Sequence, residues 1–66
     1  MSTPTIVRSS FHNIYPDRTG NERLTLAAAQ RYAQPDRVGL VRLDLYSDYT
    51  VMPVVLDLAT GAEVAR

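Results

Sequence analysis

The chain has 66 residues and no cysteine, and its seven basic residues, all arginine, are matched by seven acidic ones, so the formal net charge is zero. The absence of cysteine and lysine excludes disulfide frameworks, cysteine metal sites and lysine-based catalysts. A chain this short predicts one domain over 1–66, in which burial and conformational entropy nearly cancel. It therefore needs very good packing, a second copy or a partner.

Residues 5–15 predict the first β-strand, because β-branched and aromatic side chains dominate and no helix-forming run is present. The preceding residues, 1–4, are expected to be disordered. Within the strand, Val7 and Phe11 are expected to point inward. The strand is followed by turn-forming residues over 16–21, which predict a loop.

The helix is predicted between 21 and 34, where the run LAAAQRYAQ has the highest helix propensity in the chain. The sequence is compatible with two N-terminal ends for this helix. Thr19 and Glu22 have the spacing of a capping box, whereas Thr25 would cap a shorter helix beginning at Leu26. An alanine-rich side would let this helix pack closely against a sheet. The repeat expected on that side comprises Leu24, Ala28 and Tyr32.

From Leu40 the hydrophobic period changes to two, which predicts a second strand. The side chains expected to face the core are Val41, Leu43 and Leu45. The side chains expected on the opposite, uncovered face are Arg42, Asp44 and Tyr46, together with Val51, Val55 and Asp57 of the following strand. Residues 47–50 predict a hairpin turn.

Residues 51–58 predict the third strand, and Pro53 places it at an edge or a bulge because proline cannot donate to a ladder. The side chains expected on its inner face are Met52, Val54, Leu56 and Leu58. A turn at 59–61 would then lead to a short last strand at 62–65. The order predicts a small α+β domain with one helix packed on one face of an antiparallel sheet.

Few residues could support catalysis. Ser9 or Ser10, His12 and Asp44 have the side chains of a hydrolytic triad, but a triad is defined by geometry and this spacing is not specific. A structural role for His12 is favoured. The protein is therefore expected to be non-enzymatic.

No cofactor or metal is expected either. Asp44, Asp48 and Asp57 are the only acidic group considered, and they lack the pattern of a calcium loop. Roles in turns and ion pairs are favoured for all of them. The glycines are dispersed, so the common phosphate-binding loops are absent.

Tyrosine and arginine, the residue types most enriched among interface hot spots, favour a protein-binding role. The side chains expected to contact a partner are Arg42, Asp44, Tyr46, Asp48 and Tyr49 at the hairpin, with Arg31 and Arg37 near the helix end. In size, composition and lack of catalytic groups the chain is similar, in broad class, to anti-CRISPR and other anti-defence inhibitors of phages and mobile elements. That similarity implies an inhibitor that covers a functional surface of a larger protein or ribonucleoprotein complex.

Two alternatives stay open. One is a small nucleic-acid-binding or regulatory domain whose sheet tyrosines stack on bases and whose arginines reach phosphates. Against it, residues 1–38 carry a net charge of only +2 and residues 39–66 of −2. The other is a homodimer through the uncovered sheet face. A cytoplasmic location without membrane contact is expected, because neither a long apolar run nor a signal peptide is present.

Overall fold

The computed structural model describes residues 3–64. In this range the chain forms β1 (Ile6–Ile14), α1 (Leu26–Arg31), β2 (Gly39–Tyr46) and β3 (Val51–Val55). The strands make one antiparallel sheet in the order β1-β2-β3, and α1 packs on one face of it. The α+β class and the helix-on-sheet architecture are therefore confirmed. No helix within residues 3–64 has the length and apolar character needed to cross a membrane.

The core is small and lies between α1 and the start of β2. Its buried members are Ala29, Leu40 and Leu56, against which Phe11, Leu26 and Val54 pack. Ala29 is fully buried and has no side chain beyond its methyl group, so the helix backbone approaches the sheet closely. This confirms the close packing expected from the alanine-rich run, but the repeat expected on that side is wrong at Leu24 and Tyr32, which are exposed.

The register determines which face of the sheet each side chain occupies. Phe11 pairs with Arg42, and Arg42 pairs with Val54. Directly paired residues have their side chains on the same face, so Arg42 shares the helix-covered face with core residues of both neighbouring strands. The opposite face, called the open face below, carries Arg8, Ser10, His12, Val41, Leu43, Leu45, Val51, Pro53 and Val55.

The predicted orientation of β2 is therefore wrong. Val41, Leu43 and Leu45 lie on the open face. Leu40 and Asp44 are buried on the opposite face, the one on which α1 packs. A two-residue period divides a strand into two faces, but it does not say which face the helix covers. The inner face predicted for β3 is confirmed at Val54 and Leu56, whereas Met52 and Leu58 are exposed. Val54 and Leu56 lie on the face opposite to Val41, Leu43 and Leu45.

The ends of the sheet also depart from expectation. Val7 lies at the register shift between Ile6 and Arg8 and is exposed, so its predicted inward position is wrong, while that of Phe11 is confirmed. The last strand is reduced to an isolated bridge between Leu56 and Glu63. Residue 65 of that predicted strand, and residues 1 and 2 of the N-terminal segment expected to be disordered, lie outside the described range.

The helix is shorter than the predicted span because the preceding segment pairs with the outer edge of β1. Arg23 exchanges two backbone hydrogen bonds with Phe11, at 2.7 and 2.9 Å. The helix therefore begins after Thr25, whose side-chain oxygen accepts from Ala28 N at 3.1 Å. Of the two predicted helices, the structure therefore contains the shorter one, which begins at Leu26. Leu24 precedes the helix and is exposed.

Candidate protein-binding surface

The centre of the open face is apolar. It is formed by Val51, Pro53 and Val55, which are exposed, and by Val41, Leu43 and Leu45, which are half-buried. Within residues 3–64, α1 lies on the opposite face and no other helix or strand packs on this one. Exposed apolar surface is one feature of candidate interaction sites.

Polar side chains border this surface along β1. Arg8 and Glu22 form an ion pair beside a shallow cleft of about 180 Å³, which Leu43, Leu45 and Val51 also line. An apolar centre with a polar border is the usual composition of a protein interface.

The molecule exposes more surface than its mass requires. Its accessible area is 4862 Å², whereas a compact protein of this mass exposes about 4,200 Å². Its radius of gyration is 12.6 Å, against about 10.8 Å expected for a compact chain of this length. The excess agrees with a sheet that is covered on one face only.

The hairpin tip, defined here as Tyr46, Asp48 and Tyr49, extends from one end of the sheet. Tyr49 N donates to Tyr46 O at 3.0 Å, and Tyr46 N donates to Thr50 O at 2.9 Å, which confirms the predicted turn. The Asp48 carboxylate accepts from the Thr50 hydroxyl at 2.6 Å, and this bond holds the pKa of Asp48 below its usual value. The side chain of Tyr49 is 89% exposed.

Tyr49 is also conformationally unfavourable, with a φ of 69°. This is the left-handed position of a three-residue hairpin loop, which normally holds glycine. A non-glycine residue in this conformation lowers stability, and such strain clusters at functional sites.

We expect Tyr49→Gly to raise the free energy of unfolding by about 1 kcal/mol, because glycine adopts this backbone conformation without steric cost. Urea denaturation followed by circular dichroism measures the change. Tyr46→Gly serves as the contrast, since it loses side-chain packing in a regular strand and should be destabilising. A Tyr49→Gly protein less stable than the wild type would contradict the assignment of strain to this residue.

Arg42 and Asp44, which were predicted to bind a partner, form hydrogen bonds with other side chains of the same chain instead. Arg42 holds Asp44 through two hydrogen bonds, of 2.9 and 3.0 Å, and reaches Glu63 at 2.7 Å. Asp44 also accepts from the Ser9 hydroxyl at 2.7 Å and is 1% exposed. The Arg42 guanidinium and then the Ser9 hydroxyl lower the pKa of Asp44, in opposition to its desolvation. Asp44 is thus ionised and internally satisfied.

The two arginines predicted near the helix end differ from each other. Arg37 donates to the side-chain oxygens of Asn13 at 3.0 Å and Gln30 at 2.6 Å, so it joins β1 to α1. Arg31 is exposed at the helix end. Because β2 separates Arg37 from the hairpin tip by about 23 Å of extended strand, the predicted binding residues do not form one cluster.

The groups considered for catalysis are placed on both faces of the sheet. His12 Nε2 lies 3.2 Å from Ser10 Oγ, and its Nδ1 lies 3.3 Å from Gly20 O. Asp44 contacts Ser9 on the opposite face, so serine, histidine and aspartate do not converge. Asp57 accepts from Ala59 N and Thr60 N in a turn, and residues 3–64 contain no group of three potential metal ligands.

The sequence predicted the hairpin turn and an uncovered sheet face, and Val51 and Val55 lie on that face as predicted, whereas the two faces of β2 are exchanged. The apolar side chains of the open face were recognised as a stripe in β2 and were then assigned to the core. The alternation of Val51, Pro53 and Val55 in β3 was the signal that a second apolar face existed.

No protein-family model matches the chain, and neither a characterised protein nor a solved structure shows significant similarity to it.

Proposed function

We propose that the protein is a non-enzymatic protein-binding module that uses its open face to dock on a larger protein or ribonucleoprotein complex. The observation that carries this proposal is the apolar centre of the open face, on which no helix or strand of residues 3–64 packs. Val51, Pro53 and Val55 are exposed there, and Val41, Leu43 and Leu45 are half-buried. Removing such surface from water contributes about 25 cal/mol per Å². The polar border at Arg8 and Glu22 would restrict which partner surfaces fit.

The mode of action that we propose is occlusion of a functional surface, as in small inhibitors of phages and mobile elements of the anti-CRISPR and anti-defence type. Occlusion requires a stable, preformed surface and no reacting groups. A three-stranded sheet provides such a surface, and the exposed Tyr49 at its end supplies an aromatic anchor of the type common among hot spots. The interface would then run from the open face to the hairpin tip.

Two neighbouring residues of β3 provide a matched test. Val51 lies on the open face and Met52 on the opposite face, and their exposed fractions are 52% and 54%. We expect Val51→Asp to reduce binding of the partner at least about tenfold, because a buried unpaired charge is costly. Met52→Asp should bind as the wild type does. The readout is quantitative capture from a nuclease-treated lysate of the source cell, followed by titration of the purified partner.

Circular dichroism and urea denaturation first establish that both variants are folded. Equal binding by wild type and Val51→Asp, or equal loss in both variants, would contradict docking through the open face. Inhibition of the purified partner by the wild type, but not by Val51→Asp, would support occlusion.

A second copy of the chain competes for the same surface. Sedimentation equilibrium across protein concentrations distinguishes this case from docking on a different partner. A dimer that Val51→Asp dissociates and Met52→Asp preserves would assign the open face to self-association instead.

A further inference from the structure

A separate polar cleft of about 340 Å³ lies outside the open face, between the segment preceding α1 and the end of that helix. Its lining includes Tyr15, Arg18, Asn21, Arg23, Tyr32 and Gln34. None of them belongs to the open face or to the hairpin tip. A function of this cleft is therefore independent of the proposed docking surface.

Two arginine–tyrosine stacks form its walls. The Arg18 guanidinium carbon lies 4.1 Å from the centroid of the Tyr15 ring, and that of Arg23 lies 4.4 Å from the Tyr32 ring. Tyr15 is buried, and its hydroxyl accepts from Gln34 N at 3.0 Å, so this wall is anchored. Tyr32 is half exposed, with the Arg23 guanidinium over its ring.

The charges around the cleft are unequally satisfied. Arg18 is paired with Asp17 at 2.8 Å and Asp36 at 3.0 Å. Arg23, by contrast, has no carboxylate within ion-pair distance in the described part of the chain. The same holds for Arg31, whose guanidinium carbon lies 5.7 Å from the Tyr32 ring. Arg23, which lines the cleft, and Arg31, which lies beside Tyr32 outside the lining, are thus two arginines of the described chain without carboxylate partners.

The floor of the cleft depends on a close backbone approach. Gly20 N donates to Asn13 O at 2.7 Å, and a Cβ at Gly20 would lie 3.0 Å from that oxygen and 3.2 Å from the Tyr15 ring. The loop is therefore held against β1 at this point. Asn21 and Gln34 add amide side chains, a type that hydrogen-bonds the edges of nucleic-acid bases.

We propose that this cleft binds a nucleoside phosphate, with the phosphate at the Arg23 and Arg31 guanidiniums and the base against the Tyr32 ring. Guanidinium groups match the geometry of phosphate oxygens, and bases stack on tyrosine and arginine planes. The volume lies at the lower end of the range for ligand clefts, which suits one nucleotide. That nucleotide is either free or one residue of a single strand.

Titration of the full-length protein with each common ribonucleoside 5′-monophosphate tests the proposal, with backbone amide shifts in heteronuclear NMR spectra as the readout. We expect saturable shifts at Arg23, Tyr32 and their neighbours. Arg23→Gln should weaken binding about tenfold because a charge-assisted hydrogen bond is lost. Arg8→Gln is the matched control, since Arg8 lies at the border of the open face, and it should bind as the wild type does.

Arg31→Gln changes an exposed helix end and keeps the test valid if Arg23→Gln does not fold. The nucleosides and inorganic phosphate, titrated separately, should each bind more weakly than the monophosphate. A short single-stranded oligonucleotide identifies the source of the ligand: tighter, salt-dependent binding indicates a strand, and equal or weaker binding indicates a free nucleotide. The proposal is overturned by the absence of saturable shifts at the cleft, or by equal weakening in Arg23→Gln and Arg8→Gln.

Discussion

Asp44→Asn lowers the free energy of unfolding by about 2–3 kcal/mol. The buried carboxylate accepts hydrogen bonds from Arg42 and Ser9, and the neutral amide cannot reproduce these contacts. Arg42 keeps Glu63 as a partner, which places the loss at the lower end of the range for a broken buried pair. Urea denaturation measures it. Asp48→Asn, in the exposed turn, is the control and should change stability by less than about 0.5 kcal/mol.

The same substitution should alter the acid dependence of stability. Hydrogen bonds to Arg42 and Ser9 lower the pKa of Asp44 in the folded state, so between the folded and unfolded pKa values the unfolded chain binds more protons. The stabilisation is complete above the unfolded value, about 3.9, and is lost as the pH falls through the folded pKa.

Asp44→Asn should therefore lose less stability than the wild type between about pH 5 and about pH 3. Asp36, Asp48 and Asp57 also have lowered pKa values, so part of the acid dependence will persist. The measurement is a series of urea titrations at decreasing pH. An unchanged acid slope together with unchanged stability would show that Asp44 is not buried in an ion pair.

Leu40→Ala lowers the free energy of unfolding by about 3 kcal/mol, whereas Leu43→Ala lowers it by about 1 kcal/mol. Leu40 is 0% exposed between β2 and α1, so its truncation leaves a cavity as well as losing apolar burial. Leu43 lies on the open face, where only part of its side chain is withdrawn from solvent. Both substitutions change strand propensity equally. The difference between the two losses in the free energy of unfolding therefore measures how much more deeply Leu40 is buried than Leu43.

Urea denaturation of both variants at several protein concentrations gives the comparison. If both variants lose the same free energy of unfolding at every protein concentration, another part of the chain covers the open face. A cost at Leu43 that grows with concentration would instead indicate a second copy on this surface. A chain of this length has a total stability of about 3–10 kcal/mol, so Leu40→Ala removes a large share of it.

Local features that act through the backbone were predictable. Proline and turn residues define the ends of the strands, and Pro53 lies in an edge strand as expected. Thr25 caps the helix, which was one of two starts that the sequence left open. The helix is six residues long because pairing of Arg23 with Phe11 competes with helix propensity, and propensity is a weak preference that tertiary contacts override.

The candidate site was predictable only in part. Tyr49 could be placed at an exposed turn from its neighbours. Arg37, in contrast, is occupied by Asn13 and Gln30, which are 24 and 7 residues away in the chain. No local pattern reveals such contacts, and an arginine that is internally bonded has the same sequence appearance as one that binds a partner.

The sequence by itself determined the class of fold, the order of the elements, the hairpin turn and the existence of two faces in each strand, because these depend on side-chain period and on turn residues close in the chain. Only the tertiary structure decided which face the helix covers. Asp44 can be buried because Arg42, two residues away in β2, meets Ser9 and Glu63 from distant segments at one site, where the charges of Asp44 and Arg42 are satisfied. With that polar group satisfied inside, the apolar stripe of Val41, Leu43 and Leu45 was left on the outside.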